Sequence, residues 1–175
     1  MKKIAIIGVS CSGKSTFAQE LSKQLNLNFI DLDDLFWNPG WVVTEANLFS
    51  EKVKAVLETE SWIIVGNYHS VQKVILKDAD TIIWFDYSRF VVWKRALTRT
   101  LKRALFREPC CNGNYESFKL SFFSKDSILL WVYQDYPRKK KRYEEMVNSK
   151  HFKSKTYKRI RHPREAVSFL NSVRI

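Results

Sequence analysis

Lys14 and Ser15 close the stretch GVSCSGKST, which runs from Gly8 to Thr16. Gly8, Gly13, Lys14 and Ser15 fit G-x-x-x-x-G-K-[ST], the spacing of a loop that holds phosphate. The glycines let the backbone curl until successive N–H groups, those of Ser10, Cys11 and Ser12 among them, point at one phosphate. Lys14 brings a mobile positive charge to the β- and γ-phosphates of a nucleotide, and the Ser15 hydroxyl suits Mg²⁺. The helix entered through Ser15 and Thr16 turns its positive end toward the same anion. Cys11 reads as a tolerated position in the loop. The motif implies that phosphate is held and leaves open whether it is transferred, hydrolysed or only bound.

Three further groups of residues could act on it. In FIDLDDLFW, Asp31 and Asp33 lie two apart at the end of an apolar run, so an extended backbone would point both to one face. Asp33 there could orient and deprotonate an attacking hydroxyl. The competing reading is that Asp33 or Asp34 caps the turn that follows. Trp37 and Trp41 flank NPG and read equally as walls of an acceptor pocket or as core. Asn67 and Tyr68 follow a third apolar run and suit acceptor contacts, and His69 beside them is either a base or structural. Finally, Arg95, Arg99 and Arg103 repeat every four residues, one stripe of a helix, with Trp93, Leu97, Leu101 and Leu105 on the other side. The expectation is that the apolar stripe packs and the arginine stripe is presented.

The elements that must carry these residues alternate. KKIAII, LNFIDL, SWIIVGNY (ending at Gly66), DTIIWFD and KTYKRI read as strands. Ser15 to Leu25, Ala46 to Leu57, Arg89 to Leu105, and HPREAVSFLNSV with Pro163 in its first turn read as helices. Tyr115 to Asn148 reads as mostly helical, interrupted near Pro137. Such alternation predicts an α/β, P-loop NTPase fold: a five-stranded parallel sheet with helices on both faces and an inserted helical lid about 106–148, all within a single domain 1–175. Sheets of this kind bind ligands at the carboxyl ends of their strands, where Gly8, Asp31, Asp33, Gly66 to Tyr68 and Asp86 fall.

Composition sets the outer bounds. The 175 residues are 45% hydrophobic and 14% aromatic, enough for a packed core and unlike a disordered chain. No apolar run approaches a membrane span, and MKKIAII is too short for a secretory signal, so a cytoplasmic protein with no membrane partner is expected. Three unspaced cysteines, Cys11, Cys110 and Cys111, argue against a disulfide framework or a structural zinc site.

Neither an N-K-x-D guanine motif nor an LSGGQ-like transporter signature is present, which leaves a small nucleoside- or metabolite-kinase type. GVSCSGKST, FIDLDDLFWNPGW, WIIVGNY, DTIIWFD and RHPREAVSFL together resemble the small adenylate-kinase-like P-loop proteins of the DNA topology modulation (FlaR-related) family, over nearly the whole chain. The resemblance implies an adenylate-kinase-like fold and binding of ATP with Mg²⁺. The pair Asp31 and Asp33 is similar to the D-x-D of shikimate- and gluconate-type kinases, which implies that Asp31 lies near Mg²⁺ and Asp33 contacts the acceptor hydroxyl. By similarity to adenylate kinases, Arg95 would stack on adenine and Arg99 would neutralise charge in the transition state, with Arg107 and Arg138 swinging in with the cover. Val65 stands where the resembling proteins carry an acidic residue, which shifts that work to Asp31 or Asp86. The partners expected are a nucleotide and a small-molecule acceptor. A net charge of +12 and the run RKKKR at 138–142 raise DNA as the alternative partner of a nucleotide-dependent protein that transfers no phosphoryl group.

Overall fold

The computed structural model describes residues 1–116, 128–149, 152 and 155–173. Along the chain the elements are β1 (Lys3–Gly8), α1 (Lys14–Leu25), β2 (Phe29–Asp31), α2 (Leu32–Phe36), β3 (Trp37–Asn38), β4 (Val42–Val43), α3 (Ala46–Leu57), β5 (Trp62–Val65) and α4 (His69–Asp78). They continue as β6 (Thr81–Phe85), α5 (Arg89–Phe106), β7 (Pro109–Cys110), β8 (Asn114–Tyr115), α6 (Ile128–Val147), β9 (Thr156–Ile160) and α7 (Pro163–Val173).

β-branched and aromatic runs make strands that pack into a sheet covered on both faces, and β9, which carries Lys158 and Arg159 inside its run, takes an edge. Five of them form one sheet in the order β2-β5-β1-β6-β9, parallel at every pairing. Alternate residues divide between two cores. Ile4, Ile6, Ile63, Val65, Ile83 and Phe85 face α1, α5 and α7. Ala5, Ile7, Trp62, Ile64, Ile82 and Trp84 face α3 and α4. The α/β fold with a five-stranded parallel sheet and helices around it is therefore as the alternation predicts.

Register brings the chemistry to one edge. Ile6 pairs with Val65, Val65 with Asp31, and Gly8 with Phe85, so the P-loop, Asp31 and Gly66 leave the sheet side by side. Gly66, at φ +137°, lets the backbone leave β5 against α2: a Cβ there would lie 2.5 Å from Leu32 Cβ.

Several elements differ from the sequence reading. Helix α4 was not foreseen, although Val71, Ile75 and Leu76 give it a buried stripe. Two small hairpins, β3–β4 and β7–β8, were likewise not foreseen. Tyr115 belongs to β8 and not to a helix, because Asn114 pairs with Cys110. The part of that expected helix at 117–127 lies outside the described residues. Most sharply, α6 is not interrupted at Pro137 but runs through it. A proline cannot donate to the carbonyl four residues back, here that of Tyr133. That oxygen instead accepts from Arg89 Nη2 at 3.2 Å, and the same guanidinium lies 3.8 Å over the Tyr133 ring. Arg89 thus replaces the missing donor, and the helix continues.

Candidate active site

A cleft of about 1540 Å³ opens along the carboxyl edge of the sheet. Its floor is the P-loop. Gly13 has φ +91° and sits under Arg95, whose Nη1 is 2.4 Å from where a Cβ would project. Arg95 donates to Ser12 O at 2.8 Å and lies 5.1 Å over the Tyr87 ring. Cys11 takes φ +62°, a turn of the loop that a side chain rarely favours. Ser12 is buried and donates to Val9 O at 2.8 Å, which fixes the curl. Gly8, where a Cβ would meet Phe85 O at 2.6 Å, anchors the loop to the sheet and does not line the cleft.

Lys14 is buried, and its Nζ donates to Val9 O at 2.7 Å. A carbonyl compensates an ammonium poorly. Burial, with the charge of Lys139 added, brings its pKa down to about 8. An under-compensated cation among loop amides fits a phosphate. Across the loop the signs reverse. Ser15 Oγ donates to Asp31 Oδ2 at 2.7 Å, and burial followed by the charge of Asp33 pushes Asp31 up to about 6. A hydroxyl and a carboxylate, both hard oxygen donors and short of positive charge, fit Mg²⁺.

The two aspartates do not share a strand face. The strand ends at Asp31, whose side chain caps α2 by accepting from Asp33 N at 3.1 Å. The cap expected of Asp33 or Asp34 is therefore made by Asp31, and Asp33 reaches the cleft from the first turn of the helix. Asp33 Oδ1 accepts from the Tyr68 hydroxyl at 2.7 Å. Burial and the Asp33 charge push the Tyr68 proton well above the ordinary phenol range, so Tyr68 remains a donor. Asn67 lines the cleft and accepts at Oδ1 from the Tyr143 hydroxyl at 2.9 Å. Trp37 and Trp41 meet edge to face at 5.4 Å and form a wall. Ser10, Cys11, Thr16 and Arg99 also line the cleft.

The arginine helix is turned over relative to expectation. Its buried stripe is Val92, Ala96 and Thr100, while Trp93 is 43% and Leu105 68% exposed. Small residues let α5 sit close to the P-loop, so Arg95, Arg99 and Arg103 enter the cleft from beside the packed stripe. Arg99 and Arg103 both reach Glu116 Oε1, at 3.6 and 2.7 Å. Cys110 and Cys111 join Cys11 along the same cleft.

Other expected residues lie elsewhere. Arg138 is turned to solvent and bound to Asp135 Oδ1 at 2.7 Å, outside the cleft. Its neighbour Lys139 lines the cleft instead, buried and paired with Asp135 Oδ2 at 2.7 Å. The cause is the path of α6, which packs Val132 and Tyr136 on one face of the sheet and Tyr143 and Met146 on the other. Lys139 falls at the crossing over the strand ends. A one-residue error within RKKKR is invisible without the helix's phase. Asp86 also lies off the cleft: Arg159 Nε donates to its Oδ2 at 2.9 Å, and Lys140 is 3.8 Å away. Val65 is a buried sheet residue, and Asp31 is the carboxylate bonded to the P-loop Ser15 hydroxyl. His69 meets Arg142 outside the cleft, and Arg107 also lies outside it. The basic run does not form one exposed patch, since Lys139 is buried and Arg142 is drawn to His69 and Gln72.

A model of the shikimate kinase family matches residues 10–119, from inside the P-loop to just past Glu116. No curated protein sequence matches the chain. Among solved structures, the shikimate kinase from Acinetobacter baumannii in complex with shikimate superposes with a TM-score of 0.60 at 11% identity, covering 99% of this chain and 90% of that one. The gluconokinase from Sinorhizobium meliloti 1021 gives 0.52 at 17% identity, over 99% and 93%. The shikimate kinase from Bacteroides thetaiotaomicron gives 0.54 at 15%, over 97% and 94%. At such identities the superpositions establish the fold. The likeness to topology-modulation proteins rests on the sequence motifs alone. No helix among the described residues is long and apolar enough to cross a membrane.

Proposed function

The chain belongs to the shikimate kinase family, and from that premise we propose that it transfers the γ-phosphoryl group of ATP to a hydroxyl of a small molecule bound beside the Asp33–Tyr68 pair. The observation that carries this reading is the pair of opposed deficits in one cleft: a buried ammonium short of negative charge at Lys14, and, beside Asp33, a buried carboxyl short of positive charge at Asp31. A magnesium nucleotide supplies both.

In this reading the P-loop amides and Lys14 hold the phosphates, with Lys139 approaching from α6. Ser15 and Asp31 would hold Mg²⁺, which when bound supplies charge neutralisation between the phosphates. Arg95 covers the loop, and Arg99 lies toward the transferring group. Asp33 accepts the proton of the attacking hydroxyl, held in place by the Tyr68 O–H. Asn67, Trp37 and Trp41 shape the acceptor pocket. A cover that includes hairpin β7–β8 and helix α6 would exclude water, which favours transfer over hydrolysis. Supporting this, β7–β8 already lies on the acceptor side: Asn112 N donates to Asp34 Oδ1 at 2.9 Å, and Asn114 Nδ2 donates to Asn38 O at 3.0 Å.

Asp33→Asn tests the assignment. It keeps the shape and a hydrogen bond to Tyr68 but removes the base. The expected result is a fall in kcat of about 10²–10⁴-fold with the dissociation constant of a non-hydrolysable ATP analogue unchanged. A variant that transfers phosphate at the wild-type rate would overturn the role of Asp33.

A further inference from the structure

We propose, resting on the kinase reading above, that Glu116 sets the acceptor class: it occupies the Arg99–Arg103 guanidinium pair, so that the acceptor is a hydroxyl-bearing amine and not a hydroxyl-bearing carboxylate.

Shikimate and gluconate are hydroxylated carboxylic acids. An arginine pair facing an acceptor pocket is the natural anchor for such an anion, because guanidinium groups take carboxylates in a fixed, bidentate geometry. This chain has the pair but fills it from within. Arg103 Nη1 is 2.7 Å and Arg99 Nη2 3.6 Å from Glu116 Oε1, and the Glu116 side chain is only 12% exposed. The cluster sits on the acceptor side, where β8 ends beside Trp41: the indole Nε1 donates to Tyr115 O, one residue before Glu116, at 3.2 Å.

The next cation of α5 is answered in the same way. Lys102 Nζ pairs with Glu108 Oε1 at 2.8 Å, at the foot of β7. Arg99, Lys102 and Arg103 therefore face two glutamates of the chain itself, while Asp31, Asp33 and Asp34 line the same cleft. Lys14 and Arg95 are turned to the P-loop, each on one of its carbonyls. An incoming carboxylate would meet the carboxylates of Asp31, Asp33, Asp34, Glu108 and Glu116, while Arg99 and Arg103 are held by Glu116, Lys102 by Glu108 and Lys139 by Asp135, with Lys94 also in the lining. An ammonium group would meet the aspartates and the faces of Trp37 and Trp41, a setting that attracts cations. Repulsion of the wrong partner is as much a source of specificity as attraction of the right one.

Glu116→Gln tests this, since it keeps the size and the hydrogen bond but releases the guanidinium charge. Glucosamine, glucose and gluconate form a matched set of probes, with shikimate as a second carboxylate. Their dissociation constants are measured by calorimetry at pH 7 on the full chain with Mg²⁺ and a non-hydrolysable ATP analogue. Wild type is expected to bind glucosamine at least tenfold more tightly than gluconate, with glucose between. Glu116→Gln is expected to gain at least tenfold for gluconate or shikimate and to change glucose by less than threefold. Glu116→Asp, which keeps the charge, should show no such gain.

A wild-type protein that binds either carboxylate more tightly than glucosamine overturns the proposal. So does a Glu116→Gln variant with no gain for either carboxylate, including the case where neither protein binds them. If Glu116→Gln fails to fold, the wild-type ranking decides. Affinity for the ATP analogue is read separately, and its loss would contradict the kinase reading without touching the order of the acceptors.

Discussion

Lys14 and Lys139 are two ammonium groups brought together by elements far apart in sequence, the P-loop and α6. Burial raises the cost of the Lys14 charge most, and the like charge of Lys139 adds to it. Lys14 is charged in the free protein only below about 8. Phosphate binds the charged form, so affinity for a magnesium-free ATP analogue is expected to be full below pH 8 and to fall as pH rises through that value. Lys139→Met removes the like charge and is expected to move the falling limb to higher pH, as read by fluorescence titration from pH 6 to 10. The direct loss of a phosphate contact should also weaken binding at pH 7. An unmoved limb would show that the two lysines do not sense each other. Which of the five basic residues at 138–142 enters the cleft could not be read from the sequence. Composition marks the run, but only the phase of α6 selects Lys139 over Arg138.

Pro137 shows how a local rule can be correct and its consequence wrong. Proline does remove a donor, yet α6 continues because Arg89, from another helix, supplies one to Tyr133 O. Arg89→Ala is expected to cost about 0.5–1 kcal/mol, from an exposed hydrogen bond and a cation–π contact. In a Pro137→Ala background the new N–H can serve the Tyr133 carbonyl, so the same substitution should cost less. Urea unfolding of the four proteins measures that coupling, and equal costs in both backgrounds would contradict the substitution of donor for donor. Helix α5 teaches a related lesson. Period four was legible, but it gives two faces and does not say which is buried. The small side chains of Val92, Ala96 and Thr100 decide it, because they allow close approach to the loop. Helix α4 carries a legible stripe in Val71, Ile75 and Leu76, but it is short and opens within GNYHS, whose polar residues read as a loop.

At the scale of the molecule, the parallel sheet and the edge where its cleft opens were readable from alternating apolar runs, since burial on both faces leaves few other ways to fold them. The roof of the cleft was not. Hairpins β3–β4 and β7–β8 have two-residue strands and no periodicity, and what joins them is side-chain hydrogen bonding between segments more than seventy residues apart. Asn114, 4% exposed, donates to Asn38 O at 3.0 Å and Cys111 O at 2.7 Å and accepts from Trp41 N at 2.8 Å. Asn114→Ala leaves these part-buried groups without partners and is expected to destabilise by about 1–2 kcal/mol. Because the hairpins meet over the proposed acceptor pocket, KM for the acceptor should rise while KM for ATP stays within about twofold, as read by coupled ADP release. A variant as stable as wild type with both constants unchanged would show that the hairpin contact carries no weight.

The central claim is that phosphate held by GVSCSGKST passes to a hydroxyl and not to water. Phosphorus NMR of the purified chain with magnesium ATP and a panel of hydroxylated small molecules, amines included, tests it most directly. The account predicts a new phosphomonoester resonance growing in step with ADP for at least one acceptor, and absent in Lys14→Ala. ADP accompanied by inorganic phosphate alone, whatever the acceptor, would contradict it.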